Sequence, residues 1–254
     1  MSKFLNLCLV VLFIPLLVLL SGCSAEVSAL TDSQLEAKVL DIIRRHPQVI
    51  LESVEAFNRN RQEQARIKRD EKLRQMGTNP ASIIGNSPVT GAKDRKIVMV
   101  EFSDFQCPFC ARAHGTVQEF MSKYGNEVTL TYKHLPLTRI HPQALPAALA
   151  AWSAQQQGKF WEYHDRLFTR QNELGEQLYL ELAKELALNT EKFNQDRQSQ
   201  QAQSAVNQDI ALATELGING TPAFYINGIE ISGAVPLEVM ESALQQAKAN
   251  LPKS

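Results

Sequence analysis

The chain has 254 residues, of which 44% are hydrophobic and 21% charged, and its formal net charge at pH 7 is −1. This near balance argues against a nucleic acid as partner, because proteins that bind nucleic acids carry a basic surface. The length suits one domain of ordinary size with additional segments. At the N-terminus, Lys3 precedes an almost wholly apolar and uncharged run at 4–20, which indicates an export signal.

Leu20-Ser21-Gly22-Cys23 follows this run and resembles a bacterial lipobox. The resemblance implies a signal peptide at 1–22, cleavage before Cys23 and lipidation of the Cys23 thiol. The alternatives are an ordinary signal peptide and an uncleaved anchor helix, but the run is short for a membrane span and Pro15 interrupts it. Export in either form leads to a compartment where disulfides persist. An aspartate directly after the lipobox cysteine would indicate retention at the inner membrane. This chain has Ser24 there, which favours an anchor in the outer membrane facing the periplasm.

An N-terminal helical segment is predicted at 23–76. Thr31 and Gln34 have the spacing of a capping box, and Pro47 separates a first helix from a second. Apolar residues recur at helical spacing along both helices. They are Leu35, Val39, Ile42, Ile43, Ile50, Val54 and Phe57. Because the segment is too short to form its own core, we expect a homo-oligomer, a dimer or a trimer, to cover this stripe; the alternative is docking on the rest of the same chain.

Two polar stretches lead into the domain at 95–254. Residues 58–75 are highly charged without a broad apolar face, which predicts a solvated connecting helix. Residues 77–94 are rich in Gly, Pro, Ser, Asn and Thr and are predicted to be a linker.

The domain is predicted to be α/β. Strands at 96–102 and 128–134 flank a helix at 108–124, which is the pattern of a βαβ unit. Asn227-Gly228 between two further apolar runs indicates a β-hairpin. A helical block lies between the βαβ unit and the hairpin, and a last helix follows. The remaining ranges are helices at 144–157, 159–170, 176–188, 191–216 and 236–250, and strands at 223–227 and 229–232.

The sequence contains four cysteines, and Cys107 and Cys110 form its single Cys-x-x-Cys motif. Cys8 lies in the apolar leader and Cys23 is the predicted lipid site, so only this pair remains for redox chemistry. Its position between a strand and a helix favours a redox-active disulfide over a zinc site, which needs about four ligands. The five histidines show no ligand spacing, so no metal site and no cofactor is predicted.

Three stretches resemble the DsbA-like thioredoxin-fold oxidoreductases. They are Glu101-Phe102-Ser103-Asp104-Phe105-Gln106-Cys107-Pro108-Phe109-Cys110, Gly220-Thr221-Pro222-Ala223-Phe224, and His141-Pro142 through Phe160-Trp161-Glu162-Tyr163-His164. The resemblance covers about 95–250 and implies a thioredoxin fold interrupted by a helical insertion at about 139–215. The N-terminal helices are similar in position to those of ScsC-like members, in which an extra segment drives oligomerisation; this chain would be a lipoprotein form.

The resemblance also implies roles for individual residues. Cys107, at a helix start where the dipole favours a thiolate, is expected to be the exposed attacking thiol, and Cys110 the buried resolving thiol. Thr221 and Pro222 match the family's cis-proline loop, which would bind an extended substrate beside the sulfurs. The alternative is a trans proline that begins a strand. Threonine before this proline is common in isomerase-type members.

Glu101 lies six residues before Cys107 on the central strand, where the family has an acidic residue. A buried carboxyl at this place has a raised pKa and is able to relay a proton to or from Cys110. Lys133 on the neighbouring strand is a candidate partner for its charge. The alternative is a Glu101 side chain that faces solvent at the strand end.

Three functional hypotheses follow. The first is an exported, lipid-anchored disulfide isomerase, also able to form disulfides, that acts as an oligomer on cysteine-containing exported proteins. The second is a monomeric DsbA-like oxidase whose N-terminal helices are a spacer. Both require a membrane redox partner that reoxidises or reduces the cysteine pair. The third is a lipoprotein that uses the same cysteines to hold Cu(I), an ion that soft thiolates suit.

Overall fold

The computed structural model describes residues 31–251, which form two compact units that divide between Arg59 and Asn60. The predicted signal peptide, Cys23 and residues 24–30 lie outside the described residues. No helix within 31–251 combines the length and the apolar character needed to cross a membrane.

The first unit contains helix α1 (Asp32–Arg45) and the beginning of α2 (Pro47–Thr78). The predicted capping box is confirmed, since Gln34 N–H donates to Thr31 Oγ1 and Thr31 N–H donates to Gln34 Oε1 at 3.1 Å. None of the residues of α1 is buried. Its apolar stripe is therefore exposed within this chain.

The second unit is built on a five-stranded sheet with the order β1-β3-β2-β4-β5. Strands β2 and β3 are parallel, and the pairs β1–β3, β2–β4 and β4–β5 are antiparallel. The strands are β1 (Val89–Gly91), β2 (Val98–Ser103), β3 (Thr129–His134), β4 (Ala223–Ile226) and β5 (Ile229–Ser232). The helices are α3 (Pro108–Tyr124), α4 (Ala144–Gln155), α5 (Phe160–Thr169), α6 (Glu176–Glu185), α7 (Thr190–Arg197), α8 (Gln200–Glu215) and α9 (Leu237–Ala249). The predicted α/β order of βαβ, helical block and ββα is confirmed.

The central strand β2 is buried along its whole length, as expected for a strand with packed layers on both faces. On one face, Met99 packs with apolar residues of α3 and α9, including Phe120 and Leu244. On the other face, Val98 and Val100 belong to a cluster that reaches α2 and α8. Each large apolar side chain buried here stabilises the fold by about 1.5–3 kcal/mol. The sheet is thus a rigid base for the loop that follows β2.

The helical insertion between β3 and β4 packs around α4, whose alanines allow neighbouring helices to approach closely. The single helix predicted at 191–216 is wrong, because the chain forms α7 and α8 with a break at 198–199. Ser199 caps α8, and its hydroxyl accepts a hydrogen bond from Ala202 N–H at 3.1 Å. Serine at a helix start satisfies an amide that the helix leaves unpaired, and here that preference outweighs the helical pattern.

The predicted linker at 77–94 is partly ordered structure. It contains a short 3₁₀ helix, Pro80–Ile83, and the edge strand β1. Ile83 and Ile84 are buried. Strand β1 has only three residues, which is too few for a period-two pattern to show in the sequence.

The charged end of α2 is not solvated throughout, which corrects the prediction of a solvated connector. Met76 is buried, and the Arg69 guanidinium donates to Leu216 O at 2.9 Å. Gly228 in the β4–β5 turn has a φ of +84°, and a β-carbon there would lie 2.5 Å from Leu73 O. Glycine is therefore required at 228 both by the backbone conformation and by the close approach of α2.

Candidate active site

The Cys107-Pro108-Phe109-Cys110 motif lies where the loop after β2 turns into α3. Cys107 is the N-cap of α3, and Pro108 follows in the first turn. Proline has no backbone N–H, but an N–H at this position would have no partner within the helix. The N–H groups of Cys110 and Ala111 both donate to Cys107 O at 3.1 Å. The helix start thus fixes both cysteines within the first turn of α3.

The two thiols are free and lie in different environments. Cys107 retains 3% of its surface and Cys110 none, so the prediction of an exposed Cys107 is wrong. The pKa of Cys107 is lowered to about 5, first by a hydrogen bond from the Cys110 thiol, then through Thr221 and the backbone N–H groups of Cys110 and Phe109. Burial raises the pKa of Cys110, and the neighbouring Cys107 raises it further. At neutral pH the pair therefore holds one thiolate and one thiol.

The Thr221-Pro222 peptide bond is cis, as predicted. The loop leads into β4, which pairs with the active-site strand β2. Cys107 Sγ lies 3.4 Å from Thr221 O, so the loop carbonyl is next to the attacking sulfur. Phe109, with 54% of its surface exposed, lies in the same motif under the Arg112 guanidinium at 4.7 Å. A peptide that reaches Cys107 would meet a backbone edge and an aromatic ring.

Side chains of the insertion and its entry loop hold the segment before Cys107. The Asp104 carboxylate is fully buried and accepts from Gln106 N–H at 2.8 Å, from Leu137 N–H at 3.0 Å and from His141 Nδ1 at 2.7 Å. The Gln171 amide donates to Phe105 O at 2.8 Å and to Cys107 O at 2.9 Å. The sequence assigned no role to Asp104 or Gln171, because their partners lie far away along the chain.

Glu101 is buried, with 1% of its surface exposed, on the part of β2 behind the cysteines. Burial raises its pKa, and the charge of His164 and the hydroxyl of Ser103 oppose this rise. The solvent-facing alternative for Glu101 is therefore wrong. The Glu101 carboxyl is thus an acid inside the domain whose pKa is raised by burial.

Lys133 does not pair with Glu101, which corrects the predicted charge partner. Glu101 lies opposite Tyr132 in the sheet, so Lys133, one residue further along β3, points to the other face. There its ammonium lies 3.2 Å from the Asp209 carboxylate and donates to Ile84 O at 3.1 Å. The ion pair fixes α8 and the 3₁₀ segment to the sheet.

The position of His114, one turn beyond Cys110, predicts a surface residue of α3. That prediction is wrong, because only 11% of the His114 side chain is exposed. Its ring lies 5.3 Å from the His164 ring and stacks on Phe168 at 5.0 Å. Asp165 joins the two histidines, so three potential metal ligands lie within 4.8 Å of one another. No local pattern predicted this group, because β3 and α4 separate α3 from α5 along the chain.

A cysteine pair at a helix start, a cis-proline loop beside it and a mixed sheet with an inserted helical block define a thioredoxin-fold dithiol protein. The comparisons agree: residues 84–246 match the family model described as thioredoxin, and the chain belongs to this family. A thioredoxin-like oxidoreductase from Silicibacter pomeroyi DSS-3 is 33% identical, with a TM-score of 0.60 over 65% of this chain and 94% of that one.

Two further similarities differ in extent. A linker-deletion mutant of ScsC from Proteus mirabilis is 25% identical, with a TM-score of 0.58 over 87% of this chain and 98% of that one. A sequence relative, the Na(+)/H(+) antiporter NhaA 3 of Salinispora tropica, is 35% identical over 64% of this chain. The chain spans about a quarter of the length of the curated relatives it matches. The similarity to the antiporters therefore concerns only part of their length.

Proposed function

We propose that this protein is an exported thiol:disulfide interchange protein that isomerises or forms disulfides in secreted proteins through Cys107 and Cys110. The observation that carries the proposal is the Cys107–Cys110 pair at the start of α3 beside the cis-proline loop, where the pKa of Cys107 is lowered and that of Cys110 raised. A thiolate is the nucleophile of disulfide exchange, and a second thiol beside it resolves the intermediate. A relative described as a thioredoxin-like oxidoreductase supports the same activity.

The exchange balances as two substitutions at sulfur. The Cys107 thiolate attacks a substrate disulfide, a mixed disulfide forms, and the released substrate thiolate takes a proton. Cys110 then loses its proton and attacks the Cys107 sulfur, which releases the second substrate thiol and leaves a Cys107–Cys110 disulfide. Two electrons pass from the pair to the substrate, and oxidation of a substrate dithiol is the reverse. In isomerisation a different substrate thiolate attacks the substrate sulfur of the mixed disulfide before Cys110 reacts, which forms a new substrate disulfide and releases the Cys107 thiolate without net electron transfer.

The substrate-binding residues are Thr221 and Pro222, next to Cys107. Thr221 O lies 3.4 Å from Cys107 Sγ, so a substrate strand that pairs with this loop would bring its sulfur to the nucleophile. Substrates are cysteine-containing exported proteins, and a membrane redox partner resets the pair. A lipid on Cys23 would hold the protein at the outer membrane, facing the periplasm.

Homo-oligomerisation through α1 and the start of α2 is the second part of the proposal. Leu35, Val39 and Ile42 keep 52%, 45% and 58% of their surface exposed. Apolar stripes of this kind on a helix favour association with an equivalent helix. The similarity to Proteus mirabilis ScsC, which covers 87% of this chain, extends beyond the thioredoxin-like portion and is consistent with a shared N-terminal element.

The experiment that tests both parts is the reactivation of scrambled, fully oxidised ribonuclease. Val39→Asp with Ile42→Asp places two charges on the stripe, and we expect it to yield monomers by sedimentation and to lower isomerase activity severalfold while leaving oxidation of reduced ribonuclease intact. The matched control is Ala37→Asp, because Ala37 lies on the opposite side of α1.

The possible outcomes separate the hypotheses. If the wild type is a monomer that oxidises reduced ribonuclease without reactivating the scrambled form, the protein is a DsbA-like oxidase and the oligomeric isomerase is wrong. If neither substrate reacts, the thiol-exchange proposal itself fails.

Substitutions on α1 are preferable to a truncation that starts at residue 92, because the truncation would also remove Met76 and β1 from the second unit.

Glu101 is proposed to relay the proton that Cys110 must lose. Glu101→Gln keeps the shape and removes the ionisable group, and we expect it to slow resolution of the mixed disulfide by about 10²-fold at pH 7 while leaving attack by Cys107 unchanged. Single-turnover decay of a Cys107-linked adduct measures this step. Asp209→Asn, at a buried carboxyl on the opposite face of the sheet, is the control; an equal slowing there would contradict the relay.

A further inference from the structure

His114, His164 and Asp165 form a compact group of donor atoms apart from the cysteine pair, between α3 and α5. His164 Nδ1 lies 2.9 Å from Asp165 Oδ1, and His114 Nε2 lies 3.7 Å from the same oxygen. The three donors lie within 4.8 Å of one another. Imidazole and carboxylate ligands bind zinc at about 2.0–2.2 Å, so donors around one tetrahedral ion are about 3.4 Å apart. The observed separations bracket this value.

Asp165 differs from the neighbouring acidic residues in the groups that form ion pairs with it. The neighbouring acidic residues on the helices of the insertion pair with Lys or Arg, as Glu162 does with Lys159 at 2.8 Å and Glu181 with Arg170 at 2.9 Å. The ion pairs found for Asp165 among residues 31–251 are with the two histidines alone. A carboxylate without a fixed cation, facing two imidazoles, is a suitable place for a metal cation.

The histidine rings are held in place before any ion binds. The His164 ring contacts Tyr132 at 4.9 Å, Phe168 at 5.0 Å and Trp161 at 5.2 Å, and is 3% exposed. The His114 ring stacks on Phe168 with an interplanar angle of 25°. Ligands that are already ordered lose little entropy on binding. Asp165, with 47% of its side chain exposed, leaves a path from solvent.

We infer that His114, His164 and Asp165 bind one divalent transition-metal ion of the zinc type, with solvent completing its coordination. Two imidazole nitrogens and one carboxylate oxygen favour Zn²⁺, Cu²⁺ or Ni²⁺ over Ca²⁺ and Mg²⁺, which prefer oxygen ligands. Three protein ligands leave an open position, unlike a structural site with four. A bound ion would join α3, which contains Cys110, to α5 of the insertion. The inference is independent of the proposed exchange activity.

The test is a titration of the full chain, in detergent, with Zn²⁺ at pH 7.5, where an imidazole of ordinary pKa is neutral. Cys107→Ser and Cys110→Ser remove the active-site thiols, and N-ethylmaleimide blocks any Cys8 or Cys23 thiol that processing and lipidation leave free. We expect calorimetry to show one ion per chain, and Co²⁺ to develop visible ligand-field bands. Zn²⁺ should also raise the melting temperature by mass action.

Single substitutions identify the ligands. His114→Gln and Asp165→Asn should each weaken Zn²⁺ binding at least tenfold and abolish the rise in melting temperature, while His46→Gln, outside the group at the end of α1, should change neither. Circular dichroism confirms that each variant is folded. Absence of binding to the parent, or binding that survives both His114→Gln and Asp165→Asn, would overturn the inference and leave an adventitious surface ion as the explanation.

Discussion

Replacing Cys107 with serine is expected to reduce thiol–disulfide exchange to the uncatalysed background, whereas replacing Cys110 with serine is expected to trap the protein on its substrate. The reason is the division of labour between the sulfurs. Cys107, with a pKa lowered to about 5, is almost wholly thiolate at pH 7 and makes the first attack. Cys110 is buried and protonated, so its part is to resolve the adduct.

The measurement is intact-protein mass spectrometry after mixing each variant with scrambled ribonuclease. Cys110→Ser should accumulate one substrate-linked species per chain, which dithiothreitol removes, and Cys107→Ser should form none. Gln171→Leu, which removes the amide that donates to Phe105 O and Cys107 O, is the control for disturbance of the loop and should retain exchange at a reduced rate. An adduct on Cys107→Ser would mean that Cys110 is the nucleophile.

Local signals in the sequence predicted the elements that position the site. The α3 boundaries agree with the prediction because Cys107 and Pro108 form a recognisable helix start and Gly125 follows the last turn. Asn227-Gly228 predicted the hairpin for a similar reason: Asn227 and Gly228 have φ values of +46° and +84°, which asparagine and glycine accept more readily than other residues. Such features depend on residues adjacent in the chain.

Features that depend on distant residues were not predictable in this way. The side of the sheet that Lys133 faces follows from the register of β2 against β3, which no local pattern specifies. The bonds of Gln171 to the Cys107 loop and the meeting of His114 with His164 depend on how the insertion packs on α3. Histidine spacing reveals ligands on one helix, and here the ligands come from two.

The low pKa of Cys107 predicts a pH-dependent difference in stability between the reduced and oxidised protein. An unfolded cysteine titrates near 9.0 and folded Cys107 near 5. Because the folded pKa is the lower one, its contribution to the free energy of unfolding is complete above pH 9, declines as pH falls from 9 to 5, and is absent below about 5. Cys110 acts in the opposite direction above pH 9, because burial keeps it protonated when an unfolded thiol ionises. The oxidised protein has neither thiol and lacks both effects.

We therefore expect the stability of the reduced protein relative to the oxidised protein to rise with pH between 5 and 9. The slope approaches about 1.4 kcal/mol per pH unit where folded Cys107 is a thiolate and the unfolded residue still binds one proton. Urea unfolding of both forms at pH 4, 6 and 8, buffered at about 0.15 M salt, measures the difference. Reduced Cys107→Ser should show no such rise, and a wild-type difference independent of pH would contradict a thiolate at Cys107. A more stable reduced form makes the Cys107–Cys110 disulfide more oxidising. A rise of this stability difference with pH would therefore show that the Cys107 thiolate favours transfer of the disulfide to substrates at neutral pH.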